Sequence, residues 1–196
     1  RMKKRLIGLT IAECELYAEE IGEKKYRGRQ LYKWIYAKKA ASFAAMTDLA
    51  ATVRDKLNET AELGHLQVAE IDGRSASGSV KYLFRLPDGR HIESVYIPDD
   101  SRKTLCISSQ VGCALNCQFC ATARLGLQRH LSVGEIVGQV LTIMQLGEEI
   151  SNIVFMGMGE PFANYENVIR AAQLLSDDNG MAIGARRIVI STCGLV

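Results

Sequence analysis

The chain has 196 residues, of which 47% are hydrophobic and 23% are charged, and a formal net charge of +2. This composition is typical of a globular protein, and the length suffices for one or two domains. No segment has the ~20 consecutive apolar residues of a membrane span, and no apolar core with a cleavage site indicates a signal peptide. We therefore expect a cytoplasmic protein with reduced thiols and no membrane partner.

Residues 1–62 are predicted to form a small helical accessory domain. The capping box Thr10-x-x-Glu13 predicts the start of the first helix. Two more helices are predicted over 28–39 and 48–59. Residues 1–60 hold 13 Lys and Arg against 8 Asp and Glu, a net charge of +5, so this part is more basic than the rest.

The segment 24–39 (KKYRGRQLYKWIYAKK) has seven basic and four aromatic residues and no acidic residue. Such a mixture suits phosphate contact and base stacking. The candidate nucleic-acid-binding residues at its start are Lys24, Lys25, Arg27 and Arg29. The alternative is an amphipathic helix whose aromatic side chains face the core and whose charged side chains are merely solvated.

Residues 63–103 are predicted to be a β-rich connecting segment. Its strands are predicted over 66–72, 80–86 and 91–97. The sequence Pro87-Asp88-Gly89 is a turn signal between the second and third of these strands.

From residue 104 to residue 196, strands and helices alternate. The predicted strands are 104–108 (TLCIS), 152–157 (NIVFMG) and 186–191 (RRIVIS), and the predicted helices are 132–146, opened by Ser132-x-x-Glu135, and 165–176, with Asn164 as a candidate cap. This alternation predicts βαβ units and a parallel sheet. Three strands are too few to close a barrel, and the chain starts without Met and ends just after a strand. The sequence therefore predicts an α/β fold with a truncated (βα) barrel, and we expect a fragment of a longer protein.

Four of the six cysteines lie within residues 104–122, and three of them, Cys113, Cys117 and Cys120, are spaced C-x3-C-x2-C. A structural zinc site needs four ligands, and Cys106 or His130 would have to supply the fourth at an unusual spacing. A ferredoxin-type cluster also takes four cysteines. Three thiolates on a four-iron cluster would leave one iron open to a substrate.

The triplet, with Phe119 before its last cysteine, is similar to the signature of the radical S-adenosylmethionine (SAM) superfamily. The resemblance implies a [4Fe–4S] cluster on Cys113, Cys117 and Cys120. It also implies that SAM binds the open iron and is cleaved to a 5′-deoxyadenosyl radical.

The sequence GMGEP (157–161) follows the second predicted strand of this alternation. It lacks the third glycine of the dinucleotide-binding fingerprint and instead resembles the GGEP-type loop of radical SAM proteins. This resemblance implies that Gly159 and Glu160 hold the amino group of SAM, and Ser191 matches a further SAM-contacting position. The alternatives are an ordinary strand-to-helix turn and a strand-end hydroxyl that bonds its own backbone.

The stretch from TLCISSQVGC to EIVGQV, together with HIESVYIP and the basic segment 24–39, resembles the radical SAM RNA methyltransferases of the RlmN/Cfr type. The resemblance implies methylation of C2 of an adenosine in 23S rRNA and possibly in tRNA, with an electron donor such as flavodoxin. C8-specific enzymes of antibiotic resistance share every motif quoted, so the sequence does not separate the two reactions. A non-catalytic, metal-stabilised RNA-binding module is the alternative from another class.

Two further residues acquire roles from this resemblance. Cys106 matches the cysteine that attacks a methyl-carrying cysteine, forms a disulfide and releases the product. Glu93 matches the carboxylate that removes the ring proton. The methyl-carrying cysteine of the family lies beyond Val196, so we expect the chain as given to be inactive. Without the resemblance, Cys106 would be a buried strand residue and Glu93 a solvent-exposed one.

Overall fold

The computed structural model describes residues 3–73, 75–115, 117–118 and 120–194. Within these residues the helices are α1 (Ile11–Glu20), α2 (Lys25–Tyr36), α3 (Ala51–Thr60), α4 (Val133–Gln145) and α5 (Tyr165–Ser176). The strands are β1 (Lys4–Arg5), β2 (Ala61–Glu62), β3 (Gln67–Asp72), β4 (Val80–Arg85), β5 (His91–Pro98), β6 (Lys103–Cys106), β7 (Gln110–Val111), β8 (Arg129–His130), β9 (Asn152–Phe155) and β10 (Ile188–Ile190). None of the helices in this part of the chain is both long and apolar enough to cross a membrane.

The predicted capping boxes are present at the starts of α1 and α4. The Thr10 hydroxyl accepts the Glu13 amide at 3.3 Å, and the Glu13 carboxylate accepts the Thr10 amide at 2.8 Å. Ser132 and Glu135 make the same reciprocal pair. Each box satisfies backbone donors that a helix start leaves free.

Asn164 occupies the N-cap position of α5, as predicted, but its side chain makes no capping hydrogen bond. Its amide nitrogen instead donates to the carbonyl oxygens of Ser109 and Leu131, at 2.8 Å each. The side chain is used to hold two other segments in the buried interior.

The main sheet has six strands in the order β10-β9-β6-β5-β4-β3. The three strands predicted as βαβ units, β6, β9 and β10, are parallel, which confirms the α/β fold. The strands of the predicted connecting segment, β3 to β5, pair antiparallel and continue the same sheet through β5 and β6. The three-part division at residues 62 and 103 stays a prediction.

The two faces of this sheet differ in burial. Leu105 and Ser94 are buried on the face that packs on α4, where the Ser94 hydroxyl donates to Gln139 at 2.8 Å. Alternate residues point to the other face, where Cys106, Val95 and Val154 are only half-buried. This second surface, the open face, is the one that positions the site.

Two tyrosines of α2 are hydrogen-bonded in the core, Tyr36 within the helical part and Tyr32 to the rest of the chain. The Tyr36 hydroxyl accepts the Gly8 amide at 2.8 Å and donates to the Leu9 carbonyl at 2.9 Å. The Tyr32 hydroxyl donates to Asp177, after α5, at 2.7 Å. Both rings are buried.

Helices α1 and α2 approach each other closely at Gly28. A Cβ atom at this position would lie 2.4 Å from the Cys14 carbonyl oxygen and 2.4 Å from the Glu15 amide nitrogen. Alanine normally stabilises a helix relative to glycine by roughly 1 kcal/mol. At Gly28 the backbone of α1 leaves no space for a methyl group.

We expect Gly28→Ala to lower the free energy of unfolding by about 1–3 kcal/mol, because the two helices must separate. The midpoint of urea unfolding measures the change. Gly184→Ala is the matched control, since a Cβ at Gly184 meets nothing within 4 Å, and its effect should stay within about 0.5 kcal/mol. A midpoint for Gly28→Ala equal to or above that of the unsubstituted chain would contradict this packing.

Candidate active site

The three clustered cysteines lie on one closed loop. Strands β7 and β8 pair antiparallel, with Gln110 opposite His130 and Val111 opposite Arg129. They close residues 112–128, which we call the cluster loop. It begins a few residues after β6 ends, as expected for a loop at the carboxyl end of a strand that carries functional residues.

The base of the cluster loop is held by ion pairs of Arg129. Its guanidinium donates to both carboxylate oxygens of Glu135, at 2.7 and 2.8 Å, and to Asp88 at 2.6 Å. Burial alone would raise the pKa of Glu135, but hydrogen bonds from Arg129 and Ser132 more than offset it and hold that pKa below its usual value. The Arg129 hydrogen bond likewise lowers the pKa of Asp88.

The three thiols differ in their surroundings. Cys113 is buried, whereas Cys117 and Cys120 are half-buried. The pKa of the Cys120 thiol is lowered, because the Ala123 and Thr122 amides hydrogen-bond to its sulfur. A lowered pKa favours the thiolate, which is the form that binds a metal. Phe119 lies outside the described residues.

The donor set fits an iron–sulfur cluster. No disulfide joins any two of the six cysteines, all of which lie within the described residues. Within the described residues, no group of three or more His, Cys, Asp or Glu side chains already converges on a metal-sized point. Thiolates are the usual ligands of a [4Fe–4S] cluster, so the three thiols of this loop could hold three of its irons and would leave the fourth for another ligand.

The GMGEP loop follows β9 and lies against the segment that leads into the cluster loop. The Met158 carbonyl accepts the amides of Ser109 at 2.9 Å and Gln110 at 3.1 Å. The Met158 amide donates to the Ser108 hydroxyl at 2.9 Å. The GMGEP loop is therefore hydrogen-bonded to residues 108–110, which lead into the cluster loop, although the two motifs are about 40 residues apart in sequence. We call this set of hydrogen bonds the junction.

Glu160 is 5% exposed, and its carboxylate is bound to the loop after β10. It accepts the Thr192 hydroxyl at 2.6 Å, the Cys193 amide at 3.0 Å and the Phe162 amide at 3.0 Å. Burial would raise its pKa, but these donors offset burial and lower it, so Glu160 is a charged carboxylate. Ser191 is exposed beside Thr192, which places Gly159, Glu160 and Ser191 at the ends of neighbouring parallel strands.

Cys106 and Glu93 lie on the open face of the sheet. Cys106 is opposite Val95, and Glu93 is two residues from Val95 on the same strand, so the two side chains point the same way. Glu93 is half-exposed and 3.6 Å from the Lys81 ammonium. Burial raises the pKa of the Cys106 thiol, and a hydrogen bond with the Met156 backbone opposes this rise only in part.

The basic segment has a mixed outcome. Glu15 of α1 pairs with Arg29 at 3.0 Å and with Lys25 at 3.4 Å. The Arg27 guanidinium lies 4.9 Å from the centre of the Tyr26 ring, and Lys24 is exposed. Of the four aromatic residues, Tyr32 and Tyr36 are buried and Tyr26 is 44% exposed. The expected stacking surface is therefore smaller than the sequence suggested.

Sequence reasoning missed three residues of the junction. Ser108 and Gln110 connect the GMGEP loop to the cluster loop, and Thr192 binds Glu160. One signal was available, since Ser-Ser-Gln is a polar run between an apolar strand and the first cluster cysteine. The residues that such a run would bond cannot be read from the sequence.

Comparison with known proteins places both parts of the chain. Residues 4–63 match the model of the ribosomal RNA large subunit methyltransferase N-terminal domain, and residues 107–196 match that of the radical SAM superfamily. The dual-specificity RNA methyltransferase RlmN of Geobacter sulfurreducens is 51% identical over 189 residues, which are 96% of this chain and 52% of that protein. The RlmN of Geotalea uraniireducens is 46% identical over 187 residues, or 95% of this chain and 54% of that protein.

A solved structure shows the same fold. The crystal structure of a radical SAM methyltransferase from Sphaerobacter thermophilus matches with a TM-score of 0.90 and 43% identity, over 98% of this chain and 57% of that one. The chain thus spans about half the length of the relatives it matches. On its sequence, its two family matches and its fold, the chain belongs to the RlmN family of radical SAM proteins.

Proposed function

We propose that this chain supplies the cofactor-binding part of a radical SAM RNA methyltransferase that methylates C2 of an adenosine in 23S rRNA and possibly in tRNA. The observation that carries the proposal is the junction of the cluster loop with the GMGEP loop beside Cys106. An electron donor such as flavodoxin would be the protein partner. The names of the relatives support the RNA substrate.

The reaction at C2 needs more than a polar methyl transfer. This carbon of adenine is electron-poor and is not a nucleophile. A [4Fe–4S] cluster on Cys113, Cys117 and Cys120, with SAM bound beside Gly159, Glu160 and Ser191, would supply the 5′-deoxyadenosyl radical. The protein side chains then have to remove a ring proton and release the methylated base.

Those two tasks fall to Glu93 and Cys106 in this proposal. The Glu93 carboxylate is held on the open face by Lys81, where it can accept the C2 proton. Cys106 would attack the sulfur of the methyl-carrying cysteine: an S–S bond forms, the S–C bond to the base breaks, and its electron pair with a proton completes the methyl group of the released base. The single electron left over from the radical addition would pass back to the cluster. A thiolate is the attacking form, so the raised pKa of Cys106 makes this release faster as pH rises above neutrality.

We expect chain 1–196, reconstituted anaerobically with iron and sulfide, to hold about four irons. Alanine at Cys113, Cys117 or Cys120 should abolish the iron–sulfur absorption, because each change removes one of only three ligands. Cys106→Ala should keep the iron, since Cys106 lies on β6 outside the cluster loop. One bound zinc without sulfide would instead indicate the non-catalytic RNA-binding module.

In a full-length protein that carries this segment, Cys106→Ala should trap a covalent protein–RNA adduct, because the base is attached but not released. A denaturing gel would show a shifted band that nuclease removes. Cys14→Ala, which changes a buried cysteine of α1, is the control and should give free methylated RNA. Normal product from Cys106→Ala would remove Cys106 from the chemistry, and chromatography of the product nucleoside separates C2 from C8 methylation.

We expect RNA binding to weaken when neutral residues replace Lys24, Lys25, Arg27 and Arg29. The slope of the logarithm of the RNA association constant against the logarithm of the salt concentration should decrease in magnitude by up to about 0.9 per lost phosphate contact. Glu15→Gln is the opposite test. It frees Lys25 and Arg29 from their ion pairs and should strengthen binding. Filter binding at several salt concentrations measures both, and unchanged slopes would leave α2 with a structural role only.

A further inference from the structure

We propose that Gln110 is a positioning residue for SAM: its buried amide fixes the Gly159–Glu160 backbone and joins the GMGEP loop to the cluster loop. The inference rests on the proposed function, because it assigns Gln110 to the SAM site of that reaction. Gln110 is 0% exposed and lies in β7, three residues before Cys113. It touches both loops without belonging to either motif.

The orientation of the Gln110 amide follows from its two partners. The side-chain oxygen accepts the Glu160 amide at 2.7 Å. The side-chain nitrogen is 2.9 Å from Nδ1 of His130, and because an amide nitrogen only donates, Nδ1 accepts. A reversed amide would place its NH2 group against the Glu160 N–H, two donors facing each other, so the Glu160 amide assigns the oxygen to this side.

The backbone of the GMGEP loop is shaped to the Gln110 side chain. Gly159 has φ +100°, and a Cβ atom there would lie 2.5 Å from the Gln110 Cβ. Only glycine adopts this conformation readily and leaves space for such an approach. The peptide between Gly159 and Glu160 therefore rests directly on Gln110.

Glu160 is consequently held from two sides. Gln110 binds its backbone amide, and the Thr192 hydroxyl and Cys193 amide bind its carboxylate. Loops after three strands, β6, β9 and β10, are thereby linked through one residue pair. A shift of the Glu160 backbone would also move its bond to the segment beside Ser191.

The apolar neighbours of Gln110 indicate that packing does not require an amide side chain at this position. Val111 and Leu131 are buried and apolar, and an apolar side chain of the same length would fill the same space. An apolar side chain would, however, leave the Glu160 amide buried without an acceptor, which is costly. The specific task of Gln110 is to accept that amide.

Three variants separate positioning from packing. Gln110→Met keeps the length and removes the acceptor, Gln110→Asn keeps a polar amide that is one methylene too short, and Gln110→Glu keeps an acceptor at the right reach. Gln128→Met is the matched control, since Gln128 is exposed at the other end of the cluster loop. Among the hydrogen bonds of the described residues its side chain bonds only the exposed Arg90, and its backbone bond to Val111 does not depend on the side chain.

The first measurement uses the protein without cluster or SAM. Hydrogen exchange of the Glu160 amide, followed by NMR, should be faster by about ten-fold or more in Gln110→Met and Gln110→Asn, because the protecting bond is lost. Gln110→Glu and Gln128→Met should exchange as the unsubstituted chain does. Equal exchange in all variants would overturn the assigned hydrogen bond.

The second measurement is the dissociation constant of SAM, determined on a full-length protein that carries this segment and has been reconstituted with iron and sulfide. The iron content of each variant is measured alongside. Gln110→Met and Gln110→Asn should bind SAM about ten-fold more weakly or worse with unchanged iron, and Gln110→Glu should recover most of the affinity. Iron lost in parallel with SAM binding, or equal weakening in Gln110→Glu, would overturn the positioning role. Unsubstituted protein that holds iron but no SAM would overturn the proposed function as well, whereas unchanged affinity in Gln110→Met overturns only this inference.

Discussion

The site depends on the hydrogen bonds that Met158 makes with Ser108, Ser109 and Gln110. Strand β6 ends at Cys106, and the next residues leave the regular pairing to bind the loop that follows β9. Without these bonds the cluster loop and the GMGEP loop would follow different strands with no contact that fixes their relative position. A parallel sheet aligns the carboxyl ends of its strands, but it is this junction that brings the loops into contact.

Ion pairs also stabilise the base of the cluster loop. Arg129 lies between the carboxylates of Glu135 and Asp88, so the foot of the cluster loop is fixed to α4 and to the turn between β4 and β5. A bidentate ion pair between arginine and a carboxylate is stronger than a typical surface ion pair. The loop is therefore anchored at its base, while Cys117 and Cys120 stay accessible.

Local signals were predictable from the sequence, and non-local partners were not. The capping boxes at Thr10 and Ser132 and the bounds of α5 depend on neighbouring residues, and they were predicted. The start of α2 at Lys25 was missed because no Ser, Thr, Asp or Asn marks it: Lys24 is the N-cap residue and its side chain makes no capping hydrogen bond. The cysteine spacing predicted candidate ligands, whose role stays a prediction, but the partners of Gln110 and Glu160 come from loops that only the fold brings together.

The contacts between the helical part and the rest of the chain have a consequence for the proposed function. Tyr32 of α2 bonds to Asp177, Gln145 of α4 donates to the Lys39 carbonyl, and Arg170 of α5 pairs with Glu13, so the helical part is not attached by a flexible tether. Under the proposed function, an RNA bound to α2 would therefore lie at a fixed distance from Cys106 and Glu93 on the open face. The position of an adenosine within the folded RNA would then decide whether the site reaches it, more than the bases around it.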